Sequence, residues 1–565
     1  MTPKSHGVRP ALARAAGALL MTLAVAALPV QAAPPSNQDL EAYADKLLSA
    51  AYPADQPGAA VLVVKDGQTV LRKGYGLANV ELGVPVSPDM VFEIGSVTKQ
   101  FTAAAILLLQ ERGQLRVEDD ITKYLTDYPT HGEKVTIEHL LTHTSGIPSY
   151  TGMPEWLPRV REDMSLDTLI GLFKDKPFDF KPGAEWRYNN SGYILLGAIV
   201  EKVSGKSYER FVEEELFPKA GMKASRYGHQ EEVIPRRATG YSRDASGLRN
   251  ASYLSMTQPY AAGSLMSTVD DLVAWGRALS GGAVVSQASL QRMTAPAKLP
   301  SGLSTQYAYG LGIGQYAGRR IVEHGGGIFG YVSYLGGAPE AGLYVAILSN
   351  NDSAETGPEE LGMKILAKAL GQPMEDLKTL DLDAARMDEY VGVYRFGPET
   401  TRTITRDGTK LFSQRSGGSK QEIRATGPDE FIFPSSFTRY RFQRDARGRL
   451  ATVEMTPRSG PIEKGQRTDE PIPQERQAIQ LDPAVFDAYV GQYDLPNLSV
   501  AILREGDQLF ASPAGQPKLQ LFPESETRFF LKEVDVQIEF HRGEDGKVTG
   551  LTLTQGGMKM EGKKK

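Results

Sequence analysis

From about Val97 to Arg112 the chain reads Val-Thr-Lys-Gln-Phe-Thr-Ala-Ala-Ala-Ile-Leu-Leu-Leu-Gln-Glu-Arg, and no other segment limits the fold so tightly. Phe101, Ala104, Ala105 and Leu108 recur at i, i+3, i+4 and i+7, the period of one helix face. Ile106, Leu107 and Leu109 fill the other faces, so the predicted helix is apolar nearly all round. Such a helix cannot lie on a surface and must be enclosed by a domain large enough to surround it. Gly113 supplies a C-terminal stop.

The flanking sequence indicates what encloses it. Ala59 to Val64 and Thr69 to Leu71 are apolar, β-prone runs separated by Asp66-Gly67, a strong hairpin-turn pair. Helical and loop patterns follow to about residue 295, and strand patterns return at Tyr309–Tyr316, Arg320–Glu323, Val332–Leu335 and Leu343–Leu348. Strands at both ends with helices between predict one antiparallel sheet assembled from the two ends of the domain, in an α/β (α+β) layered arrangement with helices on its faces. After about residue 375 the texture becomes short strands and turns, and it repeats. Asp388 to Tyr394 echoes Asp487 to Tyr493 at an offset of 99, and Leu411-Phe412, Phe431 and Gly448 echo Leu509-Phe510, Phe529 and Gly546 at 98. Two copies of an all-β module follow, so the expected division is a catalytic-type domain over 36–375 and β-barrels over 378–470 and 480–562. A single core would not serve a chain of 565 residues in any case.

Composition excludes several function classes. A net charge of −5 gives no electrostatic footprint for nucleic acid, and the Lys563–Lys565 tail reads as a solvated end. The absence of cysteine removes disulfides, thiolate metal sites and a cysteine nucleophile together. No clustered histidine set appears, so neither a metal nor another cofactor is expected. Lys4, Arg9 and Arg14 precede an apolar run, Ala15–Leu28, which leads to Val30-Gln31-Ala32. That is a secretory signal peptide over 1–32 with cleavage after Ala32, too short for a membrane span of roughly 20 apolar residues. A periplasmic or secreted protein is expected, with no span elsewhere.

Three short elements carry chemistry. Ser96-Val-Thr-Lys99 opens the apolar helix and is the chain's one Ser-x-x-Lys. At i and i+3 the amine can reach the hydroxyl, and the helix start presents N–H groups and positive potential to an oxyanion. A serine there would otherwise be a cap. Tyr188-Asn189-Asn190 follows a Lys-Pro-Gly turn; Asn190 can both donate to and accept from a substrate peptide group. His324-Gly325-Gly326-Gly327 ends a strand pattern, and a glycine run there permits close approach of backbone or substrate.

In this order the elements resemble the Ser-x-x-Lys, Tyr-x-Asn and Lys-Thr-Gly set of penicillin-binding proteins and class C β-lactamases, with His in the third motif as in the D-aminopeptidase and esterase branch. Leu141 to Pro148 also resembles a stretch of that family, and the tail modules resemble the paired lipocalin-like barrels of D-aminopeptidases. The resemblance implies Ser96 as nucleophile, Lys99 and Tyr188 as proton acceptors, an oxyanion hole from Ser96 and Gly327 N–H groups, and substrate contacts at Asn190, His324 and Gly326. It implies an acyl-enzyme hydrolase of D-amino-acid peptides, amides or esters. His324, mostly neutral near pH 7 where the family carries a lysine, implies poor turnover of β-lactams. An esterase or DD-peptidase of the same family is the alternative within enzymes; a silent peptidoglycan- or ligand-binding protein is the alternative outside them. The barrels are free to plug the cleft, recruit a partner or build a homodimer.

Two further signals read as structure. His143 is expected to support a helix end, and Gly312-Ile-Gly314-Gln-Tyr-Ala317, which grazes a dinucleotide fingerprint, sits in a strand pattern. The Tyr-Val-Gly-x-Tyr repeats read as barrel core.

Overall fold

The computed structural model of the chain describes residues 35–565, apart from 245–246, 375–378, 398–399, 417, 435–437, 458–460, 474–475, 477, 496–497, 514–517, 533, 544 and 556–557. The segment read as a signal peptide lies outside the described residues. Among the described residues, no helix is long and apolar enough to cross a membrane.

Strands β1 (Ala59–Lys65) and β2 (Gln68–Tyr75) form the expected hairpin. Asp66 and Gly67 close it with φ of 52° and 77°, the left-handed pair a tight hairpin turn demands. Four later strands complete one sheet: β3 (Gly312–Tyr316), β4 (Arg319–Ile328), β5 (Tyr331–Ala338) and β6 (Leu343–Ser349). The order is β3-β4-β5-β6-β1-β2, antiparallel at every pairing, so the hairpin from the start of the domain docks on β6 from its end. The glycine-bearing segment 312–316 is strand β3, as its alternation required.

Both faces of this sheet are covered, which explains why β1 is a run of consecutive apolar residues. Ala60, Leu62 and Val64 join Ala346 and Leu348 in the larger core. Ala59, Val61 and Val63 join Val345 and Ile347 in a second core, against helices α1 (Asn37–Ala51) and α7 (Pro358–Ala369). The larger core holds α2 (Thr98–Glu111), in which every residue from Thr98 to Leu109 is buried. Phe101 of α2 stacks on Trp275 at 4.0 Å and meets Phe217 edge-on at 5.8 Å. Helix α3 (Asn190–Ser204), also apolar on every side, is buried from Ser191 to Val200 beside it. The short α4 (Tyr260–Gly263), then α5 (Val269–Ser280) and α6 (Gln287–Met293), enclose the rest.

The tail forms two closed eight-stranded antiparallel barrels, the first from Gly392–Arg395 to Glu463–Arg467 and the second from Gly491–Leu495 to Met558–Lys564. The sequence repeat is their shared core. Tyr394 donates its hydroxyl hydrogen bond to the Tyr390 carbonyl (3.0 Å), and Tyr493 does the same to Tyr489 (2.8 Å). Leu411, Phe431 and Leu450 occupy in one barrel the places that Leu509, Phe529 and Val548 occupy in the other. The first barrel docks on the sheet domain at one loop: Ile462 N–H donates to the Ser304 carbonyl (3.0 Å), and the Gln306 amide donates to the Pro457 carbonyl (2.8 Å).

Asn350, wholly buried just after β6, joins the hairpin to the loops beside it. Its side chain accepts from Gly58 N–H (2.7 Å) and donates to the carbonyls of Leu77 (3.1 Å), Ala78 (3.2 Å) and Thr239 (2.7 Å). Asn350→Ala strands buried polar groups that each cost about 1–3 kcal/mol when unpaired. We expect this variant to lose roughly 3 kcal/mol or more of sheet-domain stability, read as a lower denaturation midpoint.

Candidate active site

The site begins where two backbone segments are forced together. Phe92–Glu93 pairs antiparallel with Leu265–Ser267, and Ile94 N–H continues the pairing onto the Leu265 carbonyl at 3.0 Å. The chain then turns at Gly95, with φ of 47°, into a single 3-10 turn, Gly95–Val97, before α2 proper begins at Thr98. The nucleophile candidate Ser96 therefore sits in that turn, one step earlier than a simple helical start would put it, and it remains partly exposed. A methyl group added at Gly95 would stand 3.0 Å from both N and O of Gly327 in β4. The Gly327 N–H is thus held beside the turn that carries Ser96, and Gly327 itself is exposed.

Gly326 lies the other way. A methyl there would fall 2.1 Å from the Ile94 carbonyl oxygen and 2.4 Å from Ser333 Oγ, which itself donates to Ile94 O at 2.7 Å. A side chain there would enter the buried packing of β4 on the nucleophile turn. Gly95, which the motif did not single out, is as necessary to that approach.

Lys99 is completely buried one turn into the same segment. Its Nζ lies 2.9 Å from Ser96 Oγ, 2.8 Å from Asn190 Oδ1 and 2.9 Å from the Ala262 carbonyl of α4. All three partners are neutral oxygens, and burial pushes the amine well below its ordinary pKa. A neutral amine has two N–H groups and one lone pair. Asn190 Oδ1 and Ala262 O can only accept, so in that neutral form they would take the N–H groups and leave the lone pair for the Ser96 hydroxyl proton.

The Tyr188–Asn190 loop is held by the Leu141–Pro148 segment. The Gly183 and Arg187 N–H groups bond to the carbonyls of Thr144 (2.7 Å) and His143 (3.0 Å), and Asn189 caps α3 by accepting from Gly192 N–H (2.8 Å) while its amide donates to the Ile147 carbonyl. His143 Nδ1 accepts from Asn189 N–H at 3.2 Å, the helix-end support expected of it, and its ring packs 4.3 Å from that of Tyr188. The Tyr188 hydroxyl is enclosed and makes no hydrogen bond in this geometry. Burial raises its pKa, and the neighbouring Ser96 hydroxyl is the group that offsets the rise. Lys99 Nζ stands 4.9 Å from the Tyr188 ring. Asn190 is positioned through N–H to Ser149 Oγ (3.1 Å) and Nδ2 to Thr151 Oγ1 (3.0 Å), which leaves one Nδ2 hydrogen free.

His324 is buried, and both ring nitrogens are engaged within the protein: Nδ1 with the Gly325 carbonyl (2.6 Å) and Nε2 with the Tyr307 hydroxyl (2.8 Å). Since the carbonyl only accepts, Nδ1 carries the proton and Tyr307 donates to Nε2. Burial is the chief cause that lowers the His324 pKa to about 3. The imidazole is therefore neutral and cannot serve as a cation for a substrate carboxylate. Tyr307 was invisible in the motifs because its role is set by a fold-level meeting of strand and loop; it follows Gln306, the residue gripped by the first barrel.

The structure thus brings Ser96, Lys99, Tyr188 and Asn190 together with Gly327, and places His324 behind them. Comparisons with known proteins show the family. A family model described as Beta-lactamase matches residues 47–370, and one described as a domain of unknown function, DUF3471, matches 475–564. A penicillin-binding protein of Bacillus subtilis (strain 168) is 30% identical over 405 residues, covering 67% of this chain and 86% of that one. A D-aminopeptidase of Gluconobacter oxydans (strain 621H) is 27% identical over 353 residues, covering 61% of this chain and 64% of that one. Among solved structures, a D-stereospecific amidohydrolase from Streptomyces sp. superposes with a TM-score of 0.51 at 26% identity, covering 58% of this chain and 98% of that one.

The histidine has a measurable consequence for stability. Its folded pKa of about 3 lies below the ordinary 6.5, so in this window the unfolded chain binds the proton and the folded chain does not. Stability is full above pH 6.5 and falls as pH drops toward 3. In His324→Gln the decline of the melting temperature across that window should be shallower, with a residual slope from His143, whose pKa burial lowers in the same direction.

Proposed function

Because this chain belongs to the beta-lactamase family of serine hydrolases, we propose that it hydrolyses amides, esters or short peptides of D-amino acids through an acyl-enzyme on Ser96. The single observation that carries this reading is the contact of Lys99 Nζ with Ser96 Oγ at 2.9 Å, with the amine's other two partners restricted to accepting. The D-amino-acid preference draws on the D-aminopeptidase and D-stereospecific amidohydrolase among the similar proteins.

In this mechanism the Ser96 oxygen bonds to the substrate carbonyl carbon as its proton passes to Lys99. The tetrahedral oxygen is held by the backbone N–H groups of Ser96 and Gly327, where the start of α2 adds positive potential. Tyr188, whose hydroxyl has no other partner, relays the proton to the departing amine or alcohol as the carbon–nitrogen or carbon–oxygen bond breaks. Water then attacks the acyl carbon, its proton returns through the same groups to Ser96 Oγ, and the acid leaves. The free Nδ2 hydrogen of Asn190 binds the acyl-side carbonyl or amide of the substrate. Trp156 and Phe329 pack with ring centroids 6.5 Å apart, Phe329 lying two residues past Gly327, and are candidates to receive an apolar substrate side chain.

A neutral, internally bonded His324 offers no charge to a substrate carboxylate, which weighs against β-lactams and against DD-carboxypeptidase substrates. Export by the signal peptide over 1–32 would place the enzyme where D-amino-acid peptides occur, in the periplasm or outside the cell.

Intact-mass measurement after a fluorophosphonate probe should show one adduct in the wild type and none in Ser96→Ala. In D-phenylalanine amide hydrolysis, Ser96→Ala and Lys99→Ala should each lose at least about 10³-fold in kcat/KM, and Tyr188→Phe about 10²–10⁴-fold. Full labelling in Ser96→Ala, or faster turnover of a penicillin than of the amide, would refute this reading.

A further inference from the structure

We propose that this protein has a second small-molecule site, apart from the catalytic cleft, which takes a neutral apolar molecule bearing one hydrogen-bond acceptor that seats on Gln100. Between α2, α5, α6 and the α2-facing side of β4 and β5 lies a cavity of about 300 Å³. Leu279, Leu290, Leu311, Val322 and Leu335 supply its apolar walls, and Gln100 lies among them. That volume falls at the small end of ligand pockets.

The polar feature of this cavity is specific. Gln100 is 2% exposed, and its Nε2 has no hydrogen-bond partner. The orientation of the amide is not arbitrary, because Trp275 Nε1–H donates to Gln100 Oε1 at 3.1 Å. Flipping the amide would set two donors against each other, and Trp275 cannot yield because it is stacked on Phe101 at 4.0 Å. The Nε2 hydrogens are therefore fixed away from the indole as an unmet donor. Gln100 is the residue after Lys99, turned about 100° around the same helix, so the donor faces a different side of α2 from the catalytic amine.

Water alone does not account for the space. One water occupies about 30 Å³ and needs two to four polar partners, whereas this cavity is roughly ten times larger and walled mainly by hydrocarbon. A molecule with an apolar body and a carbonyl oxygen satisfies both the walls and the donor. At the mouth, Arg320 is already bonded to the Thr294 carbonyl and stands with the exposed Glu340, and the buried carboxylate of Glu323, which accepts from the Tyr334 hydroxyl at 2.5 Å, also lines the cavity, so the lining disfavours an anion.

The probe for this site is N-hexylacetamide, titrated calorimetrically into the full-length Ser96→Ala protein, which cannot turn it over. One saturable site is expected, weakened at least about tenfold by the further change Gln100→Leu, which removes the donor, and abolished by Leu290→Trp, which fills the cavity from α6. The probe should also raise the melting temperature of Ser96→Ala but not of the Leu290→Trp double variant. Absence of saturable binding would overturn the proposal. So would binding that survives Leu290→Trp, since that places the probe in the catalytic cleft, or a probe-soaked crystal showing only water at Gln100.

Discussion

The architecture of the sheet domain depends on a single amine buried without a counter-charge. Lys99 is wholly enclosed, and every atom it bonds is a neutral oxygen. Burial disfavours an isolated ammonium in such a place and pushes the amine well below its ordinary pKa. Three separate parts of the chain must converge to make that state useful: the 3-10 turn with Ser96, the start of α3 with Asn190, and α4 with Ala262. Each is rigid for its own reason. Thr102 Oγ1, for example, ties α2 to α4 through the Ala261 carbonyl at 2.6 Å, next to the carbonyl that Lys99 uses. The large core around α2 is what keeps water from re-solvating the amine.

The same exclusion of water governs the third motif. A cation in place of His324 would be buried without a counter-charge, and an imidazole avoids that cost by remaining neutral. The Gly325 carbonyl fixes its tautomer, Tyr307 donates to the other ring nitrogen, and Tyr307 is delivered by a loop whose preceding residue, Gln306, is tied to the first barrel. The barrel therefore touches the catalytic domain at the segment that orders the back of the site. This is a physical link between a tail domain and the chemistry, made among the described residues through hydrogen bonds at Ser304 and Gln306.

Much of this was legible in the sequence, for identifiable reasons. The all-apolar pattern of α2, the Asp66-Gly67 turn and the 98–99 residue repeat are local properties, and local sterics and periodicity dictate their outcome. Ser96, Lys99, Tyr188 and Asn190 could be named because short spacing or a recurring motif marks them. Tyr307, Gly95 and the Ala262 carbonyl carry no such mark: a tyrosine, a glycine and a peptide oxygen occur everywhere, and only contact makes them part of a site.

The sequence by itself therefore determined the element types, the two-ended sheet, the barrel repeat and the candidate side chains that the fold brings together. Those features follow from backbone preference and from burial patterns that repeat within one segment. Tertiary structure alone decided that Gly326 packs inward while Gly327 faces out, that His324 is sealed by Tyr307, and that Lys99 Nζ meets Ser96 Oγ among neutral oxygens. Each of these depends on which atoms from distant segments share a volume with no water in it, and in such a volume the count of donors and acceptors fixes the chemistry.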